Sequence, residues 1–357
     1  MRIALTVDPE LPVPPRLYGG IERVVDMLAR GLAGRGHDVT LVASGESTSP
    51  VRRVTWPGTS SGDRLDTLRN AAVLARHTVM HRFDVVHSFS RIAYLAPILP
   101  FPVPKLMSYQ REISPRTTGS AVRLSRGTLE FSAISRQMMD AAPLAGRWHL
   151  VPNGVPLATY TFRSDVAANA PLVFLGRIEE IKGPHLAIAI ARETGRRLVI
   201  AGNIPHEHHD WYAAQVLPHI DGVRVCYVGP VDDEQKNALL GQAAAFLMPI
   251  LWEEPFGIVM AEAMACGTPV LGLRRGAVPE VVSHGVTGFV VDTVAELVEA
   301  VGRLPELSRS AARARVEELY SDAAVTAAYL EVYADMIARI RPSRSMRHGA
   351  VAKAGTP

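Results

Sequence analysis

The feature that most constrains the fold is a repeated alternation of short apolar runs with amphipathic helical segments. The apolar run at 3–7 is followed by a helical stretch at about 20–34, in which apolar residues recur three and four positions apart. Apolar strands separated by helices are typical of parallel sheets that are covered on both faces. Further strands of this first series are predicted at 39–43, 51–54, 84–87, 104–108 and 131–135.

A second series of the same kind begins after residue 170, so the sequence predicts an α/β protein with two doubly wound, Rossmann-like domains facing across a cleft. Between the series, Pro152 and Pro156 flank Asn153-Gly154 and preclude a continuous helix or central strand. We expect an N-terminal domain at 1–152, a C-terminal domain at 153–320, a helix at 321–341 and a disordered tail at 342–357. The strands of the second series are predicted at 171–175, 197–201, 223–228, 244–248, 269–273 and 288–291.

Composition and charge exclude several classes of protein. A net charge of +3 over 357 residues is too small for a dedicated nucleic-acid binder. No Gly-x-Gly-x-x-Gly follows the first strand, which argues against an NAD-dependent dehydrogenase. The longest uncharged apolar stretches are about half as long as a membrane helix must be. With no secretory leader, and with Cys226 and Cys266 lacking metal-ligand spacing, we expect a soluble cytoplasmic protein with both cysteines reduced in its core.

The basic side chains are concentrated in residues 1–150, where they exceed the acidic ones. Such a surface fits an anionic acceptor, peripheral contact with an acidic membrane, or an ordinary solvated face of uneven charge. The Arg-rich stretch at 111–126 is predicted to be a solvated face, with binding of an anionic acceptor as the alternative. The histidine cluster at 206–209 lacks the spacing of a zinc-binding helix and is predicted to be a solvated loop.

The most informative segment for chemistry is 253–269, in which Glu254 and Glu262 lie eight positions apart. Pro255 suits the first turn of a helix and Gly267 its C-terminal end, which predicts Glu254 just before the helix and Glu262 two turns along it. Free amides at a helix start suit sugar hydroxyls or phosphate oxygens. These amides belong to Phe256, Gly257 and Ile258. One carboxylate near a sugar and another near a ribose diol would suit a sugar nucleotide.

Other residues point to an anion at the ends of the strands. Arg177 closes a predicted strand and Lys182 opens the next helix, so both cations are expected to converge on a phosphate, unless they are simply exposed strand-end charges. Gly19-Gly20 follows the first strand, where glycines either let amides approach an anion or form a plain turn. His87 ends another strand, as a ligand-facing group or a structural one.

Embedded in EPFG…EAMACGTPV, the two glutamates resemble the Glu-x7-Glu signature of the retaining glycosyltransferases of family four. The resemblance covers about 1–341 and implies the GT-B fold. It implies transfer of a sugar from a nucleoside diphosphate sugar to an acceptor hydroxyl, with retention of configuration and without a metal or other cofactor. UDP is the first choice of nucleotide and GDP the second. The N-terminal domain would bind the acceptor, the C-terminal domain the donor, and the last helix would cross back to the first domain.

The resemblance also implies roles for individual residues. The catalytic set is Glu254 at the sugar, Arg177 and Lys182 at the diphosphate leaving group, and His87. Gln110 stands where the family often has a second histidine, so a hydrogen bond to sugar or acceptor is expected from it, but no proton exchange at neutral pH. Donor contacts are implied for Gly19, Gly20, Val231, Phe256, Gly257, Ile258 and Glu262.

Two other functions fit the same layout. A sugar-nucleotide epimerase needs acid–base groups on both faces of the sugar ring, and the sequence offers no persuasive pair. A non-catalytic subunit that binds a nucleotide sugar has no need of Glu254, Arg177 and Lys182 together. The acceptor stays open between small molecules and lipid-linked compounds, so the pathway is either cell-envelope or natural-product glycosylation.

Overall fold

In the computed structural model of the chain, residues 1–16, 19–111, 113–141 and 143–340 are described. The predicted tail at 342–357 lies outside them. The N-terminal part is built on one parallel sheet of seven strands, in the order β3-β2-β1-β4-β5-β6-β7. Its strands are β1 (Arg2–Thr6), β2 (Asp38–Ala43), β3 (Arg52–Thr55), β4 (Val85–Ser88), β5 (Lys105–Tyr109), β6 (Leu129–Ala133) and β7 (Trp148–Leu150).

The C-terminal part is built on a second parallel sheet, of six strands in the order β10-β9-β8-β11-β12-β13. Its strands are β8 (Leu172–Leu175), β9 (Leu198–Ala201), β10 (Val225–Tyr227), β11 (Ala245–Met248), β12 (Val270–Leu273) and β13 (Gly288–Val291). The two parallel sheets confirm the predicted α/β class with two Rossmann-like domains. The predicted strands all form within a few residues of their expected bounds, and β7 is the one that the sequence analysis missed.

Helices connect the strands because parallel strands need long crossovers. Side-chain caps mark several helix starts, such as Asp232 and Thr293, each of which takes part in a reciprocal capping box. The helices are α1 (Gly20–Gly34), α2 (Arg64–His81), α3 (Pro115–Ser125), α4 (Arg136–Asp140), α5 (Pro184–Glu193), α6 (His209–Gln215), α7 (Asp233–Gly241), α8 (Ile258–Ala265), α9 (Val278–Val281), α10 (Val294–Gly302), α11 (Arg309–Leu319) and α12 (Asp322–Ile340). Of the described helices, none is both long and apolar enough to cross a bilayer.

The last helix, α12, packs against α1 of the N-terminal domain more extensively than against α11, its neighbour in sequence. It buries Tyr329, Tyr333 and Met336 in the same core as residues of β1 and α1. The segment 151–156, which we call the junction, connects the two domains. Its Val155 donates its amide to the Tyr320 carbonyl and accepts the Asp322 amide at its own carbonyl. The junction and the start of α12 therefore lie side by side, and the two domains are connected by two chain segments.

The strand order reverses between β1 and β4 in the first sheet and between β8 and β11 in the second. In doubly wound sheets, ligands bind beyond the carboxyl ends of the strands at such reversals. The loops that follow these four strands carry Asp8, Ser90, Arg177 and Glu254. The topology therefore directs the search for a site to the cleft between the domains.

Candidate active site

A cavity of about 490 Å³ lies between the two domains, and we call it the first cavity. The N-terminal domain contributes the start of α1 and the end of β5, and the C-terminal domain contributes the loops after β8 and β11. Of the residues predicted for the site, its lining contains Gly20, Gln110, Arg177, Lys182, Glu254, Phe256, Gly257 and Ile258. The fold thus brings together most of a set that is spread over more than two hundred positions of sequence.

Lys182 and Glu254 form the centre of the first cavity. The Lys182 ammonium donates to Glu254 Oε2 at 2.6 Å, and both side chains are largely buried. Trp252 donates its indole N–H to the same oxygen at 3.1 Å, and its ring lies 4.6 Å below the ammonium. The carboxylate is therefore fixed from two sides, and the sequence analysis did not select Trp252, whose only signal was its position two residues before Glu254.

Arg177 reaches the same cavity from the loop after β8. Its guanidinium lies 2.8 Å from Glu179 Oε1, a carboxylate that is only 4% exposed, and about a third of the Arg177 side chain remains exposed. His208 approaches the other oxygen of Glu179 at 3.3 Å. Glu179 thus orients the guanidinium while leaving part of it open to the cavity, where an anion can be bound.

Two glycines let these loops approach each other closely. Gly183, with φ of +77°, would place a Cβ atom 2.1 Å from the carbonyl oxygen of Pro249, directly after β11. Gly276, with φ of +52°, would place one 2.3 Å from the amide nitrogen of Glu254. Any side chain at either position would push Lys182 or Glu254 out of place.

The helix that follows Glu254 begins later than the sequence predicts. Pro255 lies in the preceding loop rather than in the first turn, because α8 starts at Ile258 with Gly257 as its N-cap at φ of +71°. Phe256 and Gly257 still line the first cavity, but only Ile258 belongs to the helix. The predicted end is correct, since Gly267 follows the last turn with φ of +86°.

Glu262 does not line the first cavity. It lies one turn beyond Ile258, only 3% exposed, and lines a second cavity of about 350 Å³ between the domains. Ile258 lines both cavities. The two motif glutamates therefore line adjacent cavities of the cleft. Glu262 can contact a ligand, as predicted, only if that ligand extends into the second cavity.

Gln110 and Asn153 form an amide pair on the N-terminal side of the first cavity. Asn153 Nδ2 donates to Gln110 Oε1 at 2.8 Å, and Asn153 is only 8% exposed. The remaining amide atoms, Gln110 Nε2 and Asn153 Oδ1, are buried without a partner among the described residues. Asn153 belongs to the predicted segment between the two series of strands, and no sequence pattern indicated that it would line the cavity.

His87 is not in the cleft, and this corrects its predicted position facing the donor. Its side chain is fully buried, with Nδ1 hydrogen-bonded to the Tyr333 hydroxyl and Nε2 to Ser108 Oγ, each at 2.6 Å. Phe89 and Tyr329 pack against the ring. Burial lowers the pKa of His87 well below its usual value of 6.5. The residue therefore has the environment of a neutral structural histidine that ties β4 to α12.

Replacement of His87 by glutamine is expected to make stability less sensitive to acid. The folded state binds fewer protons than the unfolded state below pH 6.5, so the contribution of His87 is complete above pH 6.5 and lost as the pH falls. The loss is at most about 1.4 kcal/mol per pH unit. Urea unfolding of wild type and His87→Gln at pH 8, 6.5 and 5.5 tests this, and parallel pH dependences would contradict it.

A third cavity, of about 530 Å³, opens on the N-terminal side and shares Ile21, Gln110 and Arg111 with the first. Its floor includes Asp8, two residues after β1, which accepts the Arg91 amide at 3.0 Å. Burial raises the pKa of Asp8 above its usual value. Asp8 was not among the predicted site residues, although a carboxylate that follows the central strand at the strand reversal indicates such a position.

The remaining predicted residues do not line the first cavity. Gly19 precedes α1 with φ of +146°, and a Cβ atom there would meet Pro15 and Glu22. Val231 lies in the loop before α7 and is not among the lining residues. The 206–209 cluster forms a short turn leading into α6, and no group of metal-ligating side chains is found in the described part of the chain. Cys266 is buried as expected, whereas Cys226 is only half-buried on the edge strand.

Comparisons with known proteins agree with this arrangement. The family model "Glycosyltransferase Family 4" matches residues 18–159, and the model "Glycosyl transferases group 1" matches residues 168–318. The chain is 29% identical to a glycogen synthase of Mycobacterium tuberculosis, over 87% of this chain and 88% of that protein.

Solved structures of similar fold include AviGT4, a glycosyltransferase involved in avilamycin A biosynthesis. It is 26% identical with a TM-score of 0.73, covering 94% of this chain and 98% of that one. The Anabaena protein Alr3699/HepE, solved in complex with UDP and glucose, has a TM-score of 0.72 at 21% identity, covering 94% and 100%. The two family models together match most of the chain, and with this fold they make it a member of the GT-B glycosyltransferases of the family-four type.

Proposed function

We propose that the protein transfers a sugar from a UDP-sugar to an acceptor hydroxyl with retention of anomeric configuration and without a metal ion. The observation that carries this proposal is the convergence of Lys182, Arg177 and Glu254 on one interdomain cavity. Two cations beside one carboxylate suit a ligand with a negative diphosphate at one end and a sugar at the other.

The two cations would act on the leaving group. As the bond between the anomeric carbon and the diphosphate breaks, negative charge grows on the phosphate oxygens. Arg177 and Lys182 would stabilise that charge, together with the amide of Ile258 at the start of α8. Because Glu179 and Glu254 already orient these cations, little reorganisation is needed during the reaction. This positive charge takes the part that a divalent cation has in other transferases, which supports metal independence.

Glu254 would serve the sugar. Its carboxylate is fixed by Lys182 and Trp252, so it can accept hydrogen bonds from sugar hydroxyls and favour the electron-poor anomeric carbon. Among the described lining residues of the first cavity, Glu254 is the one carboxylate, and none is a histidine. A departing phosphate that accepts the proton of the acceptor hydroxyl suits this set, and such a reaction on one face of the sugar retains configuration.

The acceptor would occupy the third cavity. That cavity adjoins the first at Gln110 and Arg111, so a hydroxyl placed there would lie next to the sugar. We infer a small-molecule or lipid-linked acceptor and no role for nucleic acid. The UDP assignment draws support from the fold shared with the Anabaena protein solved with UDP and glucose, and GDP is the alternative.

A thermal-shift screen against UDP, GDP, ADP, CMP, dTDP and NAD, with and without Mg²⁺, tests the donor. We expect UDP to raise the melting temperature, to the same extent with and without Mg²⁺, because a ligand that binds only the folded state stabilises it. Stabilisation by GDP alone would mean that the donor nucleotide is GDP rather than UDP. Stabilisation only by NAD, or by no nucleotide, would contradict the proposal.

Turnover distinguishes the rival functions that share this fold. With a UDP-sugar and an acceptor panel, we expect UDP release that depends on the acceptor, and a product whose anomeric configuration by NMR matches that of the donor. Conversion of the donor to another UDP-sugar without any acceptor would indicate an epimerase. Binding without turnover over the whole panel would indicate a non-catalytic subunit.

A further inference from the structure

The second cavity continues the first along two helices. The start of α1 lines the first cavity at Gly20 and Ile21, and the next turns of α1 line the second at Arg23 and Met27. Helix α8 does the same, and Glu262 lies about 6 Å along its axis beyond Ile258, which lines both cavities. A ligand whose phosphates occupy the first cavity can therefore extend towards Glu262.

Glu262 is held there by two donors that bind the same oxygen. Lys236 Nζ donates to Glu262 Oε1 at 2.5 Å, and the Tyr160 hydroxyl donates to it at 2.6 Å. Both donors are buried, Lys236 to 7% and Tyr160 to 4% exposure. No residue in the described part of the chain hydrogen-bonds to the other oxygen, Oε2. The carboxylate is thus fixed at one oxygen while the other keeps its capacity to accept.

Lys236 is itself fixed from the opposite domain. Its ammonium lies 3.4 Å from Asp233 Oδ1, and Arg23 of α1 donates to both oxygens of Asp233, at 2.6 and 2.5 Å. Burial raises the pKa of Asp233, but the positive charges of Lys236 and Arg23 together lower it by more. The pKa of Asp233 therefore lies below its usual value. Alternating charges therefore connect the N-terminal domain to Glu262.

Tyr160 is suited to donating rather than accepting. Burial, and then the neighbouring Glu262 carboxylate, raises the pKa of Tyr160 above its usual value of 10, so the phenol keeps its proton. A carboxylate bound by one ammonium and one phenol has its orientation set before a ligand arrives, which reduces the cost of ordering it on binding.

We propose that Lys236 and Tyr160 are positioning residues for the donor nucleotide: they bind one oxygen of Glu262 and leave the other to accept a ribose hydroxyl. This inference rests on the proposed function, because it requires a nucleoside diphosphate whose phosphates occupy the first cavity. It adds two residues that the Glu-x7-Glu motif does not contain, one from α7 and one from the segment after the junction.

The test compares the affinities of the full-length protein for UDP and 2′-deoxy-UDP by calorimetry. Wild type is expected to bind UDP about 10- to 100-fold more tightly than 2′-deoxy-UDP, which is the contribution of a hydrogen bond to a charged group. In Lys236→Met and Tyr160→Phe that ratio is expected to fall towards one, because Glu262 is no longer oriented. Lys236→Arg, which keeps a cationic donor, is expected to recover part of the ratio.

Matched controls separate positioning from a loss of stability. Lys105→Met removes another buried ammonium, which donates to the carbonyls of Phe101 and Val103, and Tyr94→Phe removes another buried phenol, which accepts from Asn70. Neither control residue lines the first or second cavity. Both controls are expected to lower the melting temperature and to keep the wild-type ratio.

Three outcomes would overturn the inference, and they differ in what they say of the function. If wild type binds neither nucleotide, the proposed donor site is wrong and the inference falls with it. If wild type binds both equally, the function stands but Glu262 does not receive the hydroxyl. If the variants keep the wild-type ratio, Glu262 needs no positioning. Should Lys236→Met fail to fold, Tyr160→Phe and Lys236→Arg decide the question.

Discussion

Lys182→Ala is expected to lower kcat by about 10²- to 10³-fold, the range found when a preorganised donor to a developing oxyanion is removed. The substitution removes a cation from the leaving group and also releases Glu254, whose Oε2 it binds at 2.6 Å. Both losses remove more stabilisation from the transition state than from the ground state. UDP release under saturating UDP-sugar and acceptor measures the effect, and turnover close to wild type would show that Lys182 has no part in the chemistry.

Companion variants divide the effect of Lys182 into its two parts. Glu254→Gln keeps the Lys182 ammonium and an oxygen that can accept from it, but removes the carboxylate charge, so it reports mainly on the charge at the sugar end. Arg177→Ala is expected to act in the same direction as Lys182→Ala but more weakly, because its guanidinium is a third exposed and partly neutralised by Glu179. Arg192→Ala, an exposed cation on α5 outside the first cavity, is the control that should leave kcat unchanged.

Tyr333→Ala is expected to lower the free energy of unfolding by about 3–5 kcal/mol, the range for truncating a large buried aromatic side chain. Tyr333 is fully buried in the core shared by α12, α1 and β1, and its hydroxyl binds His87 Nδ1 at 2.6 Å. The substitution would leave a cavity and an unpaired imidazole nitrogen in the N-terminal domain. Urea unfolding followed by circular dichroism measures the loss.

Two further variants make this prediction specific. Tyr333→Phe keeps the ring and removes only the hydrogen bond to His87, so its cost is expected to be about 1–3 kcal/mol. Glu331→Ala changes an exposed position on the same helix and is expected to stay within about 0.5 kcal/mol of wild type. A similarly small change for Tyr333→Ala would mean that α12 does not stabilise the N-terminal domain.

The acceptor end was the part least accessible to sequence reasoning. The excess of basic side chains in residues 1–150 left an anionic acceptor open, but the third cavity is lined by the half-buried carboxylate of Asp8 as well as by Arg91 and Arg111. Net charge counts exposed side chains anywhere on a domain, whereas binding depends on the few that line one cavity. The overall charge therefore says little about what this cavity binds.

The sequence by itself determined the two parallel sheets, since strand and helix periodicity are local properties that short segments carry. It also selected Arg177, Lys182 and Glu254, because a strand end or a loop before a helix places a side chain at the edge of a parallel sheet. Only the tertiary structure decided the environments of His87 and Glu262. His87 is covered by α12, from the far end of the chain, and Glu262 is bound by Lys236 and Tyr160. Burial and partnership depend on contacts between segments distant in sequence, and no local pattern encodes them.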